Sequence, residues 1–411
     1  MRPPRATVVG TAPRLSLLWL DPISQARTYC TKDPCPQAAA TSALPCVEKA
    51  TGRAPGAEGG SLMGRTSIEW TDFSVNPIRA RVGGHGDPFA PLRHGHYCEK
   101  ISPGCAHCYS SRMQRRFGMP EFGEQRQRDD VEVYFELKAL EEVLRRQKPT
   151  RWFWCDMTDL FGAWVPDEWI DRCLAVMALT PQHTHLVLTK RAERMCDYSQ
   201  RIANDFDHGL ARAFANHRHW RWPLSNVWWG CSVENQKYAD ERIPLLLQTP
   251  AAVRFVSAEP LLGPVDLARW LRIQGGGVGH CFDINNEWWH EPGTCMGPIC
   301  KGECCGRGLD WVIVGGESGP GARPCDLAWI RSIVQQCRTA GVPCFVKQLG
   351  ANPVEDLEKV DVTEHARFGP EVIRYSEPCD LRLHDRKGGD PAEWPEDLRV
   401  RETPGGSCRE S

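Results

Sequence analysis

The apolar run Trp152-Phe153-Trp154-Cys155 ends at the segment Asp156-Met157-Thr158-Asp159. A short apolar run closed by charged or polar residues recurs along the chain, and the runs are rich in aromatic or β-branched side chains. Such runs are typical of strands buried on both faces of a parallel sheet. The further runs are His185–Leu188, Val227–Gly230, Val253–Val256, Trp311–Val314 and Pro343–Val346.

The spacing of these runs predicts an α/β fold. They mostly recur about once per βα unit, which takes roughly 30 residues or slightly more. Amphipathic helical patterns lie between them at Asp167–Leu179 and Leu327–Ala340, and another helix is expected at Leu137–Arg146. With a first strand at Ser67–Trp70, about seven parallel strands result. This predicts a full or partial (β/α) TIM-type barrel, although a doubly wound open sheet has the same alternation.

Charged side chains follow every run. In barrel enzymes the reacting groups lie where strands end, so we expect these side chains to meet in one pocket. Carboxylates there would bind hydroxyls or amines, and cations would bind a carboxylate or phosphate. Any one of them alone is equally consistent with a buried strand emerging into a polar loop. The predicted cofactor-binding residues are Asp156, Asp159, Lys190, Glu234, Glu259, Glu317 and Lys347.

The clearest chemical signal is the spacing C-x6-C-x2-C formed by Cys98, Cys105 and Cys108. The last two cysteines can reach one metal centre, and Pro103-Gly104 turns the chain so that the three thiolates can converge. Three thiolates on a [4Fe–4S] cluster leave one iron open for a ligand. A zinc ion is the alternative, and a segment without metal is the third interpretation. The fourth zinc ligand would be His94, His96 or His107.

A second group of cysteines lies in a Gly-rich insertion at about 273–308, which accounts for the one long gap between strands. Five thiols in such a loop predict a second metal site, either structural zinc or an auxiliary cluster. The alternative is a loosely ordered insertion with incidental thiols. These cysteines are Cys281, Cys295, Cys300, Cys304 and Cys305.

A cysteine motif after the first strand of a barrel resembles that of radical S-adenosylmethionine enzymes, with a longer first gap than their usual C-x3-C-x2-C. The resemblance implies that Cys98, Cys105 and Cys108 hold a [4Fe–4S] cluster and that S-adenosylmethionine binds the open iron. Gly315-Gly316-Glu317 is similar to the Gly-Gly-Glu element of these enzymes. It follows a much later strand, so we do not transfer that role to it.

From Thr66 to about Gly350 the chain also resembles a phage- and prophage-associated family named after phage gene products 37 and 68. This resemblance implies a three-cysteine, radical-SAM-like protein of unknown substrate, paired with a partner protein encoded nearby. Besides the cysteine motif, the matching pieces are Thr66–Asp72, Met157–Phe161, Leu188–Arg191, Ser232–Asn235, Ser257–Pro260 and Val314–Gly319.

Composition limits the remaining classes. The chain of 411 residues has a net charge of -2, so it has no overall attraction to nucleic acid or anionic membranes. No apolar run approaches the ~20 residues of a membrane helix, and 20 cysteines without a secretion signal favour metal ligands or buried thiols in the cytoplasm. Residues 1–63 predict a disordered extension, 64–350 the barrel and 351–411 a C-terminal tail.

The sequence therefore predicts a cytoplasmic, radical-SAM-like iron–sulfur enzyme of phage or prophage origin whose substrate is unknown. The alternative is a zinc-stabilised phage protein that binds nucleic acid or a partner protein without radical chemistry. Arg112, Arg115 and Arg116, which follow the cysteine motif, would serve that binding unless they form only a solvated helix face.

Overall fold

The computed structural model describes residues 66, 68–83, 92–116, 118–119, 131–204, 222–271, 308–355 and 383–407. The predicted disordered extension, 1–63, lies outside these ranges. So do nearly all of the predicted insertion at 273–308 and its five cysteines, whose proposed second metal site stays a prediction.

The strands, in chain order, are β1 (Phe73–Val75), β2 (Ile78–Val82), β3 (Arg93–Gly95), β4 (Glu132–Phe135), β5 (Arg151–Trp154), β6 (Thr184–Thr189), β7 (Val227–Ser232), β8 (Val253–Ala258), β9 (Trp311–Gly315), β10 (Cys325–Asp326), β11 (Cys344–Gln348), β12 (Pro353–Val354), β13 (Glu402–Thr403) and β14 (Gly406–Ser407). The helices are α1 (Tyr109–Arg116), α2 (Lys138–Arg145), α3 (Asp167–Leu179), α4 (Ala192–Asn204), α5 (Gln236–Gln248) and α6 (Leu327–Ala340).

Seven parallel strands form the central sheet in the order β1-β5-β6-β7-β8-β9-β11. The six apolar runs correspond to β5 through β9 and β11, so the prediction of an α/β fold with about seven parallel strands is confirmed. Within the described residues β1 and β11 are the two edges of the sheet. The fold is therefore a curled half-barrel flanked by helices, and a closed TIM barrel is not established.

The packing of Trp70 shows how strongly the sheet curls. Its ring centroid lies 4.8 Å from that of Phe153 on β5 and 6.1 Å from that of Trp311 on β9. Neighbouring strands lie about 4.8 Å apart, so in a flat sheet one side chain could not reach both. The concave face is lined by aromatic and aliphatic side chains, namely Phe153, Leu186, Phe255, Trp311, Ile313 and Phe345 around Trp70.

The first strand lies later than the sequence pattern predicts. The structure has β1 at Phe73–Val75, whereas Ile68–Thr71 forms a turn in which the Thr71 N–H donates to the Ile68 carbonyl. The apolar character of Trp70 comes from its place inside the curl rather than from a strand. The pattern therefore identified a buried residue correctly and its backbone state wrongly.

The opposite face of each strand packs against the helices, since successive side chains point to opposite sides. Trp152, Trp154, Trp229 and Val312 belong to this larger core. The amphipathic patterns at Asp167–Leu179 and Leu327–Ala340 are confirmed as α3 and α6 with the same bounds.

Caps at the helix ends fix where the strand-end loops stop. Asn235 accepts a hydrogen bond from the Tyr238 N–H at the start of α5, and Asp326 accepts one from the Ala328 N–H at the start of α6. Each cap satisfies a backbone donor that would otherwise have no partner. Gly341 ends α6 with φ 69°, a left-handed conformation that glycine adopts without strain.

A small antiparallel sheet, ordered β3-β2-β4, supports the cysteine segment. Gly95 on β3 lies against α1: a Cβ there would be 2.3 Å from Gln114 Oε1 and 2.6 Å from Met119 Cγ. This close approach packs the strand that precedes the cysteines directly on the helix that follows them.

Part of the predicted C-terminal tail packs on the central sheet. The Val346 N–H on β11 donates to the Val400 carbonyl at 2.8 Å, and Trp311 Nε1 donates to the Glu402 carbonyl at 2.8 Å. Trp394 in this segment is buried. Residues 383–407 therefore cover the β11 side of the sheet.

The two ends of the insertion between β8 and β9 lie side by side. Leu271 and Leu309 form an isolated parallel β-bridge, and the Leu309 N–H donates to the Trp270 carbonyl at 2.8 Å. In the described part of the chain, no helix combines the length and apolar character that crossing a membrane requires.

Candidate functional site

A cavity of about 230 Å³ lies at the carboxyl ends of the central strands. Since a water molecule takes about 30 Å³, the cavity can admit a small-molecule ligand. It brings together the three motif cysteines and six of the seven predicted strand-end residues. These are Cys98, Cys105, Cys108, Asp156, Asp159, Lys190, Glu259, Glu317 and Lys347.

The cysteines lie on one segment between β3 and α1. A short 3-10 helix, Pro103–Cys105, begins at proline, whose fixed φ suits a first helical position, and Cys108 directly precedes α1. Ser102 Oγ lies 3.5 Å from Cys105 Sγ. Among the described residues, no three His, Cys, Asp or Glu side chains are grouped around a position for one metal ion. The three thiols line the same cavity.

The surroundings of Cys98 and Cys108 raise the pKa values of these thiols. Burial is the main cause that raises the pKa of Cys98, Asp159 and the other two motif cysteines raise it further, and Arg191 opposes them. Burial also raises the pKa of Cys108, against hydrogen bonds from the backbone that follows it. Both thiols therefore ionise readily only when a positive centre binds them.

Glu234 is the one predicted strand-end residue that does not line the cavity. Its side chain is completely buried behind the cysteine segment, where it accepts hydrogen bonds from Lys190 Nζ, from Ser102 Oγ at 2.5 Å and from Arg242 Nη1 at 3.1 Å. A Cβ on Gly104 would lie 2.6 Å from Glu234 Oε1. Glu234 therefore ties the cysteine segment to the loop after β7.

Asp159 is saturated by protein donors. It accepts from Thr189 Oγ1 at 2.7 Å, from the Lys190 N–H at 3.2 Å and from Arg191 Nη1 at 2.9 Å. The guanidinium of Arg191 in turn lies 4.6 Å above the ring of Trp164. Asp159 thus holds the loops after β5 and β6 together. Its role is to position these loops, although Asp159 also lines the cavity.

Asp156 differs because its hydrogen-bonding partners are neutral. Asn76 Nδ2 donates to its carboxylate at 2.5 Å, and Tyr109 Oη donates to Oδ2 at 3.0 Å. Burial raises the pKa of this carboxyl, and these hydrogen bonds oppose the rise. The preceding residue, Cys155, has φ 60°, an unfavourable value for a side-chain-bearing residue. Such strain recurs at functional sites.

Two ion pairs form the opposite wall. Lys347 Nζ lies 2.6 Å from Glu259 Oε1. Glu317 accepts from Arg323 Nη2 at 2.6 Å and lies 3.0 Å from His107 Nδ1. Burial tends to raise the pKa of Glu317, but Arg323 and His107 outweigh it and hold the pKa below its usual value.

Of the three candidate histidine ligands, His107 alone lines the cavity. His96 is buried, with Nδ1 3.0 Å from the Ile78 carbonyl and Nε2 2.9 Å from Arg79 Nη1. Burial and Arg79 lower its pKa to about 3. His94 Nδ1 lies 3.1 Å from Tyr134 Oη, away from the lining residues.

Sequence reasoning missed several residues of the site. Asn76 directly follows β1 and obeys the strand-end rule, but the misplaced first strand concealed it. Tyr109 follows the last cysteine of the motif, and its position gave a usable signal. Ser102 contacts Glu234, which lies more than a hundred positions away, and Arg323 contacts Glu317 across a turn. No local sequence pattern reveals either contact.

The family model described as a protein of unknown function (DUF5131) matches residues 65–370, which is most of the chain. Comparison with curated proteins and with solved structures gave no match.

Proposed function

We propose that this chain, which belongs to the DUF5131 family, is an iron–sulfur enzyme of the radical S-adenosylmethionine type. The observation that carries the proposal is the shared cavity of Cys98, Cys105 and Cys108 with the charged residues of the strand ends. The proposal includes a cytoplasmic enzyme of phage or prophage origin that acts with a partner protein, as the resemblance to the phage family implies.

The donor set supports a cluster. The three motif thiols line the cavity together with Cys155, which directly follows β5 and is 2% exposed. In a [4Fe–4S] cluster each thiolate binds a different iron. Ligands of a cluster can therefore lie farther apart than ligands of one ion. A cationic iron centre would also offset the cost of ionising Cys98 and Cys108, whose pKa values are raised by their surroundings.

When bound, the cluster and S-adenosylmethionine would supply a one-electron reduction that yields a hydrogen-abstracting radical. The chain's own residues bind and orient. Asp156, whose described hydrogen bonds come from neutral groups, suits an ammonium group. Glu259 and Lys347 present one acidic and one basic group to hydroxyls or a carboxylate. The aromatic and aliphatic side chains that fill the concave face of the sheet exclude water from the side of the cavity that borders this face.

Anaerobic reconstitution tests the proposal. We expect about four irons and four acid-labile sulfides per chain, with broad visible absorbance that colours the protein brown. Separate replacement of Cys98, Cys105 or Cys108 by Ala should remove most of the iron and sulfide. Cys173→Ala is the control, because Cys173 is a cysteine of α3 that does not line the cavity. Zinc without sulfide in the reconstituted parent would refute the proposal in favour of a zinc-stabilised binding protein.

A further inference from the structure

We infer that the surface leading out of the cavity along α1 binds single-stranded nucleic acid. The substrate of the enzyme would then be a nucleotide within that strand. The chemical part of this inference rests on the proposed function, whereas the binding part is independent of the cluster.

The first observation is a concentration of positive charge in the segment that carries the three cysteines. From Phe73 to Met119 the chain has seven Lys and Arg residues against two Asp and Glu residues, whereas the whole chain has 50 against 52. Six of the seven are arginine, whose planar guanidinium matches phosphate geometry better than an ammonium does. A local excess of this kind attracts a polyanion despite a net charge near zero.

The second observation is the direction in which α1 presents these charges. Tyr109, Arg112 and Arg116 are spaced i, i+3 and i+7 and therefore share one side of the helix. Tyr109 and Arg112 line the cavity, and Arg116 is exposed at the far end of the helix. The helix carries no acidic residue. It thus forms a basic stripe from the cavity to the surface.

The third observation is that the hydrogen-bond acceptors of Arg112 and of the nearby Arg93 are neutral backbone carbonyls. Arg112 Nη2 donates to the Ser318 carbonyl at 3.1 Å, and Arg93 Nη1 donates to the Gly118 carbonyl at 2.9 Å, beyond the end of α1. Neutral carbonyls orient a guanidinium without cancelling its charge. Each guanidinium has five N–H donors, so both can bind phosphate while keeping these contacts.

Tyr109 supplies a place for a base. Its side chain is 43% exposed, yet its hydroxyl is held by the Asp156 carbonyl at 2.8 Å. An ordered, exposed aromatic ring beside a basic groove is the usual stacking platform of single-strand binding proteins. A base stacked inside a duplex cannot enter a cavity at strand ends, so the geometry favours a single strand.

Fluorescence anisotropy with labelled single-stranded 12-nucleotide DNA and RNA tests the inference on the full chain, with and without reconstituted iron. The double variant R93A/R116A removes two proposed phosphate contacts. We expect weaker binding and an affinity loss between 50 and 200 mM salt that is about sevenfold smaller than in the parent. The matched control is R145A/R338A, two exposed arginines in the last turns of α2 and α6.

A second pair of variants tests the stacking platform. Tyr109→Ala should weaken binding roughly tenfold, and Tyr109→Phe, which keeps the ring, should bind like the parent. Failure of the parent to bind, equal effects of the two arginine double variants, equal binding of a blunt duplex, or equal competition by free mononucleotide would each overturn the inference. Iron-loaded protein that binds no strand refutes the inference alone. Protein that binds a strand but takes up no iron and sulfide during reconstitution refutes the proposed function alone.

Discussion

Replacing Glu234 by Gln should separate the anchoring of the cysteine segment from the binding of ligand. The carboxylate is completely buried and faces two cations, Lys190 and Arg242, as well as the Ser102 hydroxyl. Glutamine has the same shape but no charge. Its amide would turn an N–H donor toward one of these donors, leaving two cations without a counter-charge beside the cluster site.

Structural detail sets the size of the effect. Removing one partner of a buried ion pair costs about 3–5 kcal/mol. The Lys190 side chain is 20% exposed and can recover some hydration, so we expect about 3 kcal/mol of lost unfolding free energy. Glu259→Gln is the matched control: Glu259 has Lys347 as its partner, and both side chains reach the cavity. There the loss should be about 1 kcal/mol.

Urea denaturation of the iron-free variants measures both free energies, and iron analysis after reconstitution measures the consequence for the site. We expect Glu234→Gln to lower iron content and Glu259→Gln to keep it while weakening cofactor binding. Equal stability of the two variants, or a full cluster in Glu234→Gln, would show that Glu234 does not hold the cysteine segment.

Three further predictions follow from the contacts described. Gly104→Ala should reduce iron loading, because its Cβ would lie 2.6 Å from Glu234 Oε1, whereas Gly263→Ala, with its nearest neighbour at 3.6 Å, should load like the parent. His185 is buried and its pKa is lowered to about 3, mainly by burial. Only the unfolded chain binds its proton below about pH 6.5, so His185 by itself should contribute a loss of stability of about 1.4 kcal/mol per pH unit from there toward pH 3, and His185→Gln should reduce the slope in urea titrations by that amount. A chain shortened to begin at Met63 should keep the melting temperature of the full chain in calorimetry, and a large decrease would contradict the predicted dispensability of the N-terminal extension.

The strands of the sheet could be predicted because burial on both faces leaves a continuous apolar signal. The runs at Trp152–Cys155 and Trp311–Val314 correspond to β5 and β9 within a residue or so. Trp70 produced the same local signal without being in a strand, since a tryptophan that fills the inside of a curl is as apolar as one within a sheet. Only the long-range ring contacts distinguish the two cases.

The sequence could predict which residues lie near the candidate site, but not how deeply each of them is buried. Glu234 and Glu259 follow consecutive strands in the same way, and their sequence contexts are alike. Only the three-dimensional structure shows that Arg242 of α5 donates a hydrogen bond to Glu234, whereas Glu259 lines the cavity. Sequence position indicated which carboxylates reach the strand ends, and tertiary packing decided which of them a ligand can contact.

The bridge between Leu271 and Leu309 allows the two predicted metal sites to be tested separately. Because the ends of the insertion lie side by side and run parallel, a crossover linker of about a dozen residues could replace the intervening segment at little cost, since loop closure depends only weakly on length. Such an excision removes Cys281, Cys295, Cys300, Cys304 and Cys305 together while leaving the cavity residues in place. Metal retained by the shortened protein would belong to Cys98, Cys105 and Cys108, and metal lost with the excised segment would report a second centre.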